Sequence, residues 1–367
     1  MSDAATSQPL PLDLTGHVAD LTAALMDIES VSGREAAIAD AVEAALRALP
    51  HLSVLRDGDA IVARTNLGRA ERVVLAGHLD TVPLPTSPGS RGTVPSSWDG
   101  QTLYGRGATD MKGGVAVQLA LAAELSAPQR DVTYVFYDHE EVEASLSGLG
   151  RLVEHHRGLL TDASFAILLE PTDGAVEGGC NGTMRFRVTT TGKAAHSARA
   201  WMGENAIHAA APILARLAEH TPQTLSVEGL DYRESLNAVR IHGGIAGNVI
   251  PDRCEVEVNF RFAPSRSVEQ AEAYVRHLLQ GFDVERTDAA AGARPGLDAP
   301  AAASFVAAVG AEAKPKYGWT DVARFSELGI PAVNFGPGDP LLAHSDNEHV
   351  SRQAVADCLD ALRRWLA

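Results

Sequence analysis

Short apolar runs that end at an acidic residue or a histidine recur along the chain. Residues 73–76, 132–137 and 165–169 form such runs, and a helical stretch at 112–125 separates the first from the second. Alternating strands and helices predict an α/β layer with a largely parallel sheet. The carboxyl ends of parallel strands line one crevice, so side chains far apart in sequence are expected to converge there.

Five places in the chain put a metal-binding side chain at the end of an apolar run or just after one. Two imidazoles and three carboxylates suit two divalent cations that share one carboxylate, each with an open coordination position. Any single carboxylate of this set could instead cap a helix or face solvent, but coincidence for the whole set is less plausible. The five residues are His78, Asp110, Glu141, Glu170 and His344.

Two acidic neighbours of these ligands have a use in catalysis. Adjacent residues on extended backbone point in opposite directions, so Glu141 can bind metal while Glu140 faces the substrate as a general base. Asp80, two residues after His78, is expected to accept the other ring N–H of that histidine and fix its tautomer. The sequence therefore predicts a metal-dependent hydrolase in which Glu140 activates water.

Length, charge and cysteine usage restrict the class of protein. A chain of 367 residues predicts two domains, and a net charge of −16 disfavours a nucleic-acid or anionic membrane surface. Residues 1–15 carry no leader pattern and no later segment offers a membrane span, so a cytoplasmic protein acting on a small anionic substrate is expected. The three cysteines are far apart, which predicts reduced, buried thiols rather than disulfides.

The pattern of elements changes near residue 180. The first domain opens with two helices over 14–49, with a capping box from Ser32 to Glu35 before the second. Later strands at 184–191, 236–242 and 254–262 and helices at 204–220 and 268–279 suit a small sheet covered by two helices. We predict a catalytic domain at 1–179 and 292–367, with a return linker at 288–300, and an inserted α+β domain at 180–291.

The candidate ligands and their neighbours resemble the dizinc metallopeptidase and deacylase family that includes acetylornithine deacetylase, carboxypeptidase G and succinyl-diaminopimelate desuccinylase. The resemblance is strongest to the desuccinylases and runs from Val31 to the C-terminal helix. Beyond the ligands it rests on Gly182, His196-Ser, Gly247-Asn248-Val-Ile-Pro, Asn259-Phe-Arg261-Phe-Ala-Pro and Tyr317-Gly-Trp-Thr320-Asp-Val-Ala-Arg324-Phe.

The resemblance implies roles for individual residues. Asp110 would bridge two Zn²⁺ ions, with His78 and Glu170 completing one site and Glu141 and His344 the other; Co²⁺ is an acceptable substitute. The inserted domain, ferredoxin-like, would be a lid and a dimerisation surface, from which His196 would reach the partner's site and hold the oxyanion. Each of three residues has an alternative interpretation. His196 could be a packed or solvated histidine, Arg261 could pair with a surface carboxylate, and Asn248 could be a turn residue. The implied substrate-binding residues are Arg261, Asn248, Thr183, Arg199 and Thr320.

The resemblance also implies a reaction. Glu at position 170, where aminopeptidase relatives tend to have Asp, favours amide deacylation. The expected activity is hydrolysis of N-succinyl-LL-2,6-diaminopimelate to succinate and LL-2,6-diaminopimelate, a step of lysine biosynthesis. An acetylornithine deacetylase-like deacylase or a carboxypeptidase is the alternative, and an inactive metal-binding homologue is a third possibility that the intact Glu140 argues against.

Overall fold

The computed structural model describes residues 11–367, which form two compact units. Unit 1 contains the chain up to Glu177 together with Gly296–Lys314 and Arg324–Ala367, and unit 2 contains Gly178–Pro295 and Pro315–Ala323. Residues 1–10, with which the predicted catalytic domain begins, lie outside the described residues.

The bounds of unit 2 differ from those predicted for the inserted domain by a few residues, 178–179 and 292–295, and by one separate segment. Pro315–Ala323 belongs to unit 2, whereas the sequence boundaries placed it in the catalytic domain. Long-range hydrogen bonds explain the difference: Asn181 N–H donates to the Lys316 carbonyl at 3.1 Å, and the Trp319 indole N–H donates to the Ala291 carbonyl at 3.1 Å. No local sequence pattern predicts contacts between segments so far apart in the chain.

Helices and strands alternate through unit 1, and none of the helices within residues 11–367 is long and apolar enough to span a membrane. The α-helices of the described residues are α1 (Val18–Met26), α2 (Ala36–Arg47), α3 (Lys112–Glu124), α4 (Gly148–His156), α5 (Ala206–Ala209), α6 (Ala211–Glu219), α7 (Val268–Leu278), α8 (Pro300–Val309), α9 (Val322–Glu327) and α10 (Arg352–Leu366). The strands are β1 (Ser53–Asp57), β2 (Ala60–Arg64), β3 (Arg72–His78), β4 (Ser97–Asp99), β5 (Thr102–Tyr104), β6 (Asp131–Tyr137), β7 (Phe165–Leu168), β8 (Val176–Gly178), β9 (Gly182–Thr191), β10 (Thr224–Val227), β11 (Leu230–Arg233), β12 (Ser235–Gly243), β13 (Arg253–Phe262), β14 (Asp283–Ala290), β15 (Ala313–Pro315), β16 (Ala332–Asn334) and β17 (His349–Ser351).

Unit 1 is built on an eight-stranded sheet with the strand order β1-β2-β6-β3-β7-β16-β8-β15. The adjacent strands β6, β3, β7 and β16 run parallel, and the β1–β2 hairpin adds to them antiparallel. Strand β6 is buried along its whole length, as expected for a parallel strand covered on both faces by helices. The predicted α/β layer with a mostly parallel sheet is confirmed.

Helix α3 lies in the core of unit 1 with almost no solvent-exposed face. Its first turn approaches the end of β7 so closely that a Cβ atom on Gly114 would lie 2.2 Å from the Leu169 carbonyl oxygen. Only glycine permits this contact. The approach brings the start of α3, just after Asp110, to the strand end that precedes Glu170.

Unit 2 contains a four-stranded antiparallel sheet with the order β12-β13-β9-β14. One face packs under α6 and α7 around Phe186, Val258 and Phe260. The predicted ferredoxin-like architecture is confirmed. Strand β14 extends to Ala290, so its last three residues overlap the linker that was predicted at 288–300. Strand β12 forms one edge of the sheet, carries a bulge between Ala238 and Arg240, and is exposed from residue 237 onward.

The capping box predicted at α2 is wrong. Ser32 does not cap the helix: its hydroxyl donates to the Asp80 carboxylate at 2.6 Å. Glu35 Oε1 instead accepts the N–H groups of Gly33 at 2.9 Å and His139 at 3.3 Å. Ser32 and Glu35 therefore form hydrogen bonds with Asp80 and His139, which lie beside the predicted site residues His78 and Glu140. The local spacing of Ser32 and Glu35 does not predict these distant partners.

Candidate metal centre

The predicted ligands lie at one end of the parallel strands of unit 1. His78 is the last residue of β3, Glu141 follows β6, and Glu170 follows β7. These three strands are neighbours in the sheet, so their carboxyl ends lie side by side. Asp110 lies two residues before the start of α3, and His344 lies in the connection between β16 and β17.

Asp110 lies between the two imidazoles. Its Oδ1 is 3.0 Å from His78 Nε2, and its Oδ2 is 3.3 Å from His344 Nε2. His344 Nε2 is also 2.9 Å from Glu141 Oε1, and His78 Nε2 is 4.0 Å from Glu170 Oε1. The two oxygens of Asp110 thus point in different directions, one toward His78 and Glu170 and the other toward His344 and Glu141.

The same atoms meet the requirements of a divalent cation. One ligand atom from each of His78, Asp110 and Glu141 lies within 4.8 Å of the other two. Imidazole nitrogen and carboxylate oxygen are ligands that Zn²⁺ accepts, and an oxygen on either side of Asp110 allows it to be shared. The donor set therefore fits two divalent ions that have Asp110 in common.

Electrostatic coupling within the cluster is strong. Hydrogen bonds with Asp110 and then Glu141 raise the pKa of His344 to about 10. Burial opposes the charged forms of His78 and Asp110, but hydrogen bonds outweigh it. Those with Asp110 and Asp80 raise the pKa of His78, and those with His344 and His78 lower the pKa of Asp110. Protons on the imidazoles and a metal ion therefore compete for the same electron pairs.

Asp80 supports both the ligands and the predicted base. The Nδ1 atom of His78 is 3.0 Å from the Asp80 carbonyl oxygen and 3.4 Å from Oδ1, while Nε2 is directed at Asp110, a candidate metal ligand. Asp80 also accepts the backbone N–H groups of Glu140 at 3.0 Å and Glu141 at 3.1 Å. Burial raises the pKa of this carboxyl, but hydrogen bonds, led by that with His78, lower it to about 2, so Asp80 remains anionic.

A buried ion pair holds the backbone that carries Asp110. Glu348 Oε1 accepts the N–H groups of Thr109 at 3.0 Å and Asp110 at 3.1 Å, while Oε2 accepts from Arg106 at 2.7 Å. Both charged side chains are at most 4% exposed. This arrangement was not predicted from the sequence, although Glu348 lies four residues after His344 and Arg106 four residues before Asp110.

Three of the predicted substrate and oxyanion residues lie near one another in unit 2. The Ser197 N–H donates to the Asn248 carbonyl at 2.9 Å, and the His196 ring accepts the Ala198 N–H on Nδ1 at 3.0 Å. Because Nδ1 is an acceptor, the neutral ring carries its proton on Nε2. His196, Arg199 and Asn248 are exposed.

The remaining predicted contacts occupy two other places in unit 2. Thr183 and Arg261 are register partners on β9 and β13, and the Thr183 hydroxyl accepts from Asn259 Nδ2 at 3.3 Å. Thr320 is buried, and its carbonyl accepts from the Cys180 thiol at 3.8 Å.

A family model described as peptidase family M20/M25/M40 matches residues 74–367, the part of the chain that carries all five candidate ligands. The chain belongs to peptidase family M20. It is an M20 hydrolase, and the family resemblance predicted from the motifs is confirmed. A Corynebacterium glutamicum protein named succinyl-diaminopimelate desuccinylase is 42% identical to this M20 chain over 367 residues, covering 97% of this chain and 98% of the relative.

Two further comparisons extend over almost the whole M20 chain. One is with a Mycobacterium tuberculosis protein that is provisionally named a succinyl-diaminopimelate desuccinylase. It is 52% identical over 358 residues, and the match covers 97% of this chain and 99% of the relative. The crystal structure of an M20 family metallo-carboxypeptidase from Sulfolobus solfataricus has a TM-score of 0.77 at 15% identity, covering 95% of this chain and 98% of that one. At that identity the structural likeness concerns the fold alone.

Proposed function

We propose that this M20 hydrolase cleaves the amide bond of N-succinyl-LL-2,6-diaminopimelate, giving succinate and LL-2,6-diaminopimelate for lysine biosynthesis. The observation that carries the proposal is the position of Asp110 between His78 and His344, with the predicted base Glu140 next to the ligand Glu141. The names of the two relatives, which span nearly the whole chain, support the choice of substrate.

Two Zn²⁺ ions are the proposed cofactors, with Co²⁺ as an acceptable substitute. His78 and Glu170 would hold one ion, Glu141 and His344 the other, and Asp110 both. When bound, divalent zinc lowers the pKa of water and withdraws charge from an amide carbonyl.

Glu140 is the proposed general base. Its backbone N–H is fixed by Asp80 at 3.0 Å, so the carboxylate is carried on a rigid connection next to the ligand Glu141. Glu140 takes a proton from the attacking water while the water oxygen bonds to the carbonyl carbon. The C–N bond then breaks, and Glu140 gives the proton to the leaving amine.

A homodimer formed through unit 2 is the proposed assembly. Strand β12 is an edge strand, and Val239, Ile241 and the neighbouring Ile245 are large apolar side chains exposed to solvent. Covering such a row against a second copy would bury apolar surface and pair the strand edge. His196, with its proton on Nε2, would then donate to the oxyanion of the partner's substrate.

The proposed setting is the cytoplasm, and the proposed partner is a small anionic N-acyl amino acid rather than nucleic acid or membrane. The three cysteines are free and buried, which suits a reducing compartment. The net charge of −16 repels polyanions, so an anionic substrate would need locally unpaired arginines.

A substrate screen on the zinc-loaded protein tests the proposal. N-succinyl-LL-diaminopimelate, its N-acetyl and N-formyl analogues, N-acetylornithine and a short peptide would be compared by kcat/KM, with Glu140→Gln as the control for contaminating hydrolases. We expect the succinylated substrate to be preferred by about tenfold or more. Preference for N-acetylornithine or the peptide would establish the alternative deacylase or carboxypeptidase, and no hydrolysis at all would indicate an inactive homologue.

A further inference from the structure

One face of the unit 2 sheet is polar and is not covered by its helices. Along β9 the buried residues Met184, Phe186 and Val188 alternate with less buried ones, and β13 shows the same alternation. Side chains of a strand alternate between faces, so Arg185 and Arg261 share the face opposite to the helices.

The six arginines of this sheet divide into two groups. Four form ion pairs within 4.0 Å of a glutamate: Arg187, Arg240, Arg253 and Arg286. Arg185 and Arg261 form no ion pair and donate no side-chain hydrogen bond to any residue in the described range 11–367. A sheet that otherwise neutralises its guanidinium groups leaves these two without a counter-ion.

The two unpaired arginines are diagonal neighbours. Arg261 is in register with Thr183, and Arg185 with Asn259, so the arginines occupy opposite corners of one two-by-two block. Diagonal residues on one face of an antiparallel pair lie about 7–8 Å apart, within reach of long side chains. The other two corners are polar: Asn259 Nδ2 donates to Thr183 Oγ at 3.3 Å, which leaves the threonine hydroxyl hydrogen available as a donor.

The two guanidinium groups act on each other. Burial lowers the pKa of Arg261, and the positive charge of Arg185 lowers it further. Asp288 is in register with Arg185 on β14 and attracts Arg261, but it forms no ion pair with either within the described residues. The attraction of Asp288 does not offset burial and the Arg185 charge, because the pKa of Arg261 stays lowered, and an anion that contacts both arginines would relieve their repulsion.

The family resemblance already implies that Arg261 binds substrate. We propose that Arg185 is a second, specificity-determining residue, and that it joins Arg261 in binding the free carboxylate of a dicarboxylic acyl group. A carboxylate has about four acceptor positions, enough for two bidentate guanidinium contacts, and the Thr183 hydroxyl would add a donor at the same block. An acetyl group has no such carboxylate and gains nothing from the pair. The proposal rests on the proposed desuccinylase function, which it extends by naming what selects a succinyl group.

Arg187→Gln provides a matched control for Arg185→Gln. Both arginines lie on β9 and point to the same face, but Arg187 is engaged by Glu255 and Glu285. The holoenzyme variants Arg185→Gln, Arg185→Lys, Arg261→Gln and Arg187→Gln would be compared by steady-state kinetics on N-succinyl and N-acetyl substrates. Thermal unfolding would show that each variant folds.

We expect Arg185→Gln to raise KM for the succinylated substrate by about tenfold or more, with kcat little changed, since a lost hydrogen bond to a charged group typically has that effect. KM for the N-acetyl analogue should not move, and Arg185→Lys should recover part of the loss because an ammonium keeps the charge but not the fork. Arg187→Gln should match wild type on both substrates.

Titration with succinate separates this proposal from the proposed function. Wild-type holoenzyme should bind succinate about tenfold more tightly than Arg185→Gln or Arg261→Gln, whatever amide the enzyme hydrolyses. If wild type fails to hydrolyse succinylated substrate but shows this difference, the proposed function falls and the arginine pair stands. Equal KM values and equal succinate affinities for Arg185→Gln and Arg187→Gln would overturn the pair, as would a loss confined to Arg261→Gln.

Discussion

Replacing Glu348 by alanine should impair both the fold and the metal site. The change removes the partner of Arg106, whose side chain is 4% exposed, and the acceptor of the Thr109 and Asp110 N–H groups. Removal of one member of a buried ion pair typically costs about 3–5 kcal/mol, because the other charge is left uncompensated. Loss of a group that orients a metal ligand typically weakens metal affinity by about 10–100-fold.

Urea unfolding of the metal-free variant measures the stability term, and competition with a chelator measures metal affinity. The control is Glu124→Ala, which removes an exposed partner of Arg363 and should cost less than about 1 kcal/mol. The double variant Arg106→Met with Glu348→Leu should regain part of the lost stability, since two apolar side chains can replace a buried pair, while the Thr109 and Asp110 N–H groups stay unsatisfied. It should not regain metal affinity, because the Asp110 N–H still lacks its acceptor. Stability and affinity of Glu348→Ala both equal to those of the control would refute the reasoning.

Glu140→Gln should keep fold and metal but lose about 10²–10⁴-fold in kcat; a loss below about tenfold would reassign the base. Metal affinity should rise from pH 6.5 to about 10, with proton release in calorimetry, because His344 must lose its proton to ligate; a pH-independent affinity would contradict this. By the same raised pKa, His344 stabilises the metal-free fold fully below pH 6.5, and that stabilisation is lost as pH rises through about 10, which urea unfolding at several pH values would measure. Mixed subunits of Glu140→Gln and His196→Ala should recover about a quarter of wild-type sites if His196 acts in trans; none would recover if it acts within its own chain.

The convergence of the candidate ligands could be predicted because several of their positions follow from strand topology, while their role as metal ligands stays a prediction. His78 and Glu141 stand at the ends of neighbouring parallel strands, and Asp80 is close enough in sequence to His78 for its supporting role to be expected. The base Glu140 follows from the same alternation, and its role remains a prediction.

Interactions between distant segments could not be predicted. Arg106 and Glu348 are 242 residues apart, and neither belongs to a periodic pattern that would bring them together. Strand β14 buries only Val284 among its eight residues, so its sequence has no apolar alternation. Ser32 and Glu35 show the converse error, because their spacing fits a local cap while their actual partners are distant.

The exposed edge of β12 makes uncontrolled sheet growth a risk for this protein. An edge strand with apolar side chains is a template on which further strands can add without limit. The bulge between Ala238 and Arg240 interrupts the regular row of edge groups, and Arg240 places a charge in the middle of the strand. The bulge and the charge disfavour the addition of flat strands one after another, while a single partner strand of matching shape can still pair with β12. Substitutions that straighten this strand or neutralise Arg240 would therefore be expected to appear first as fibrous aggregation during expression rather than as slower catalysis.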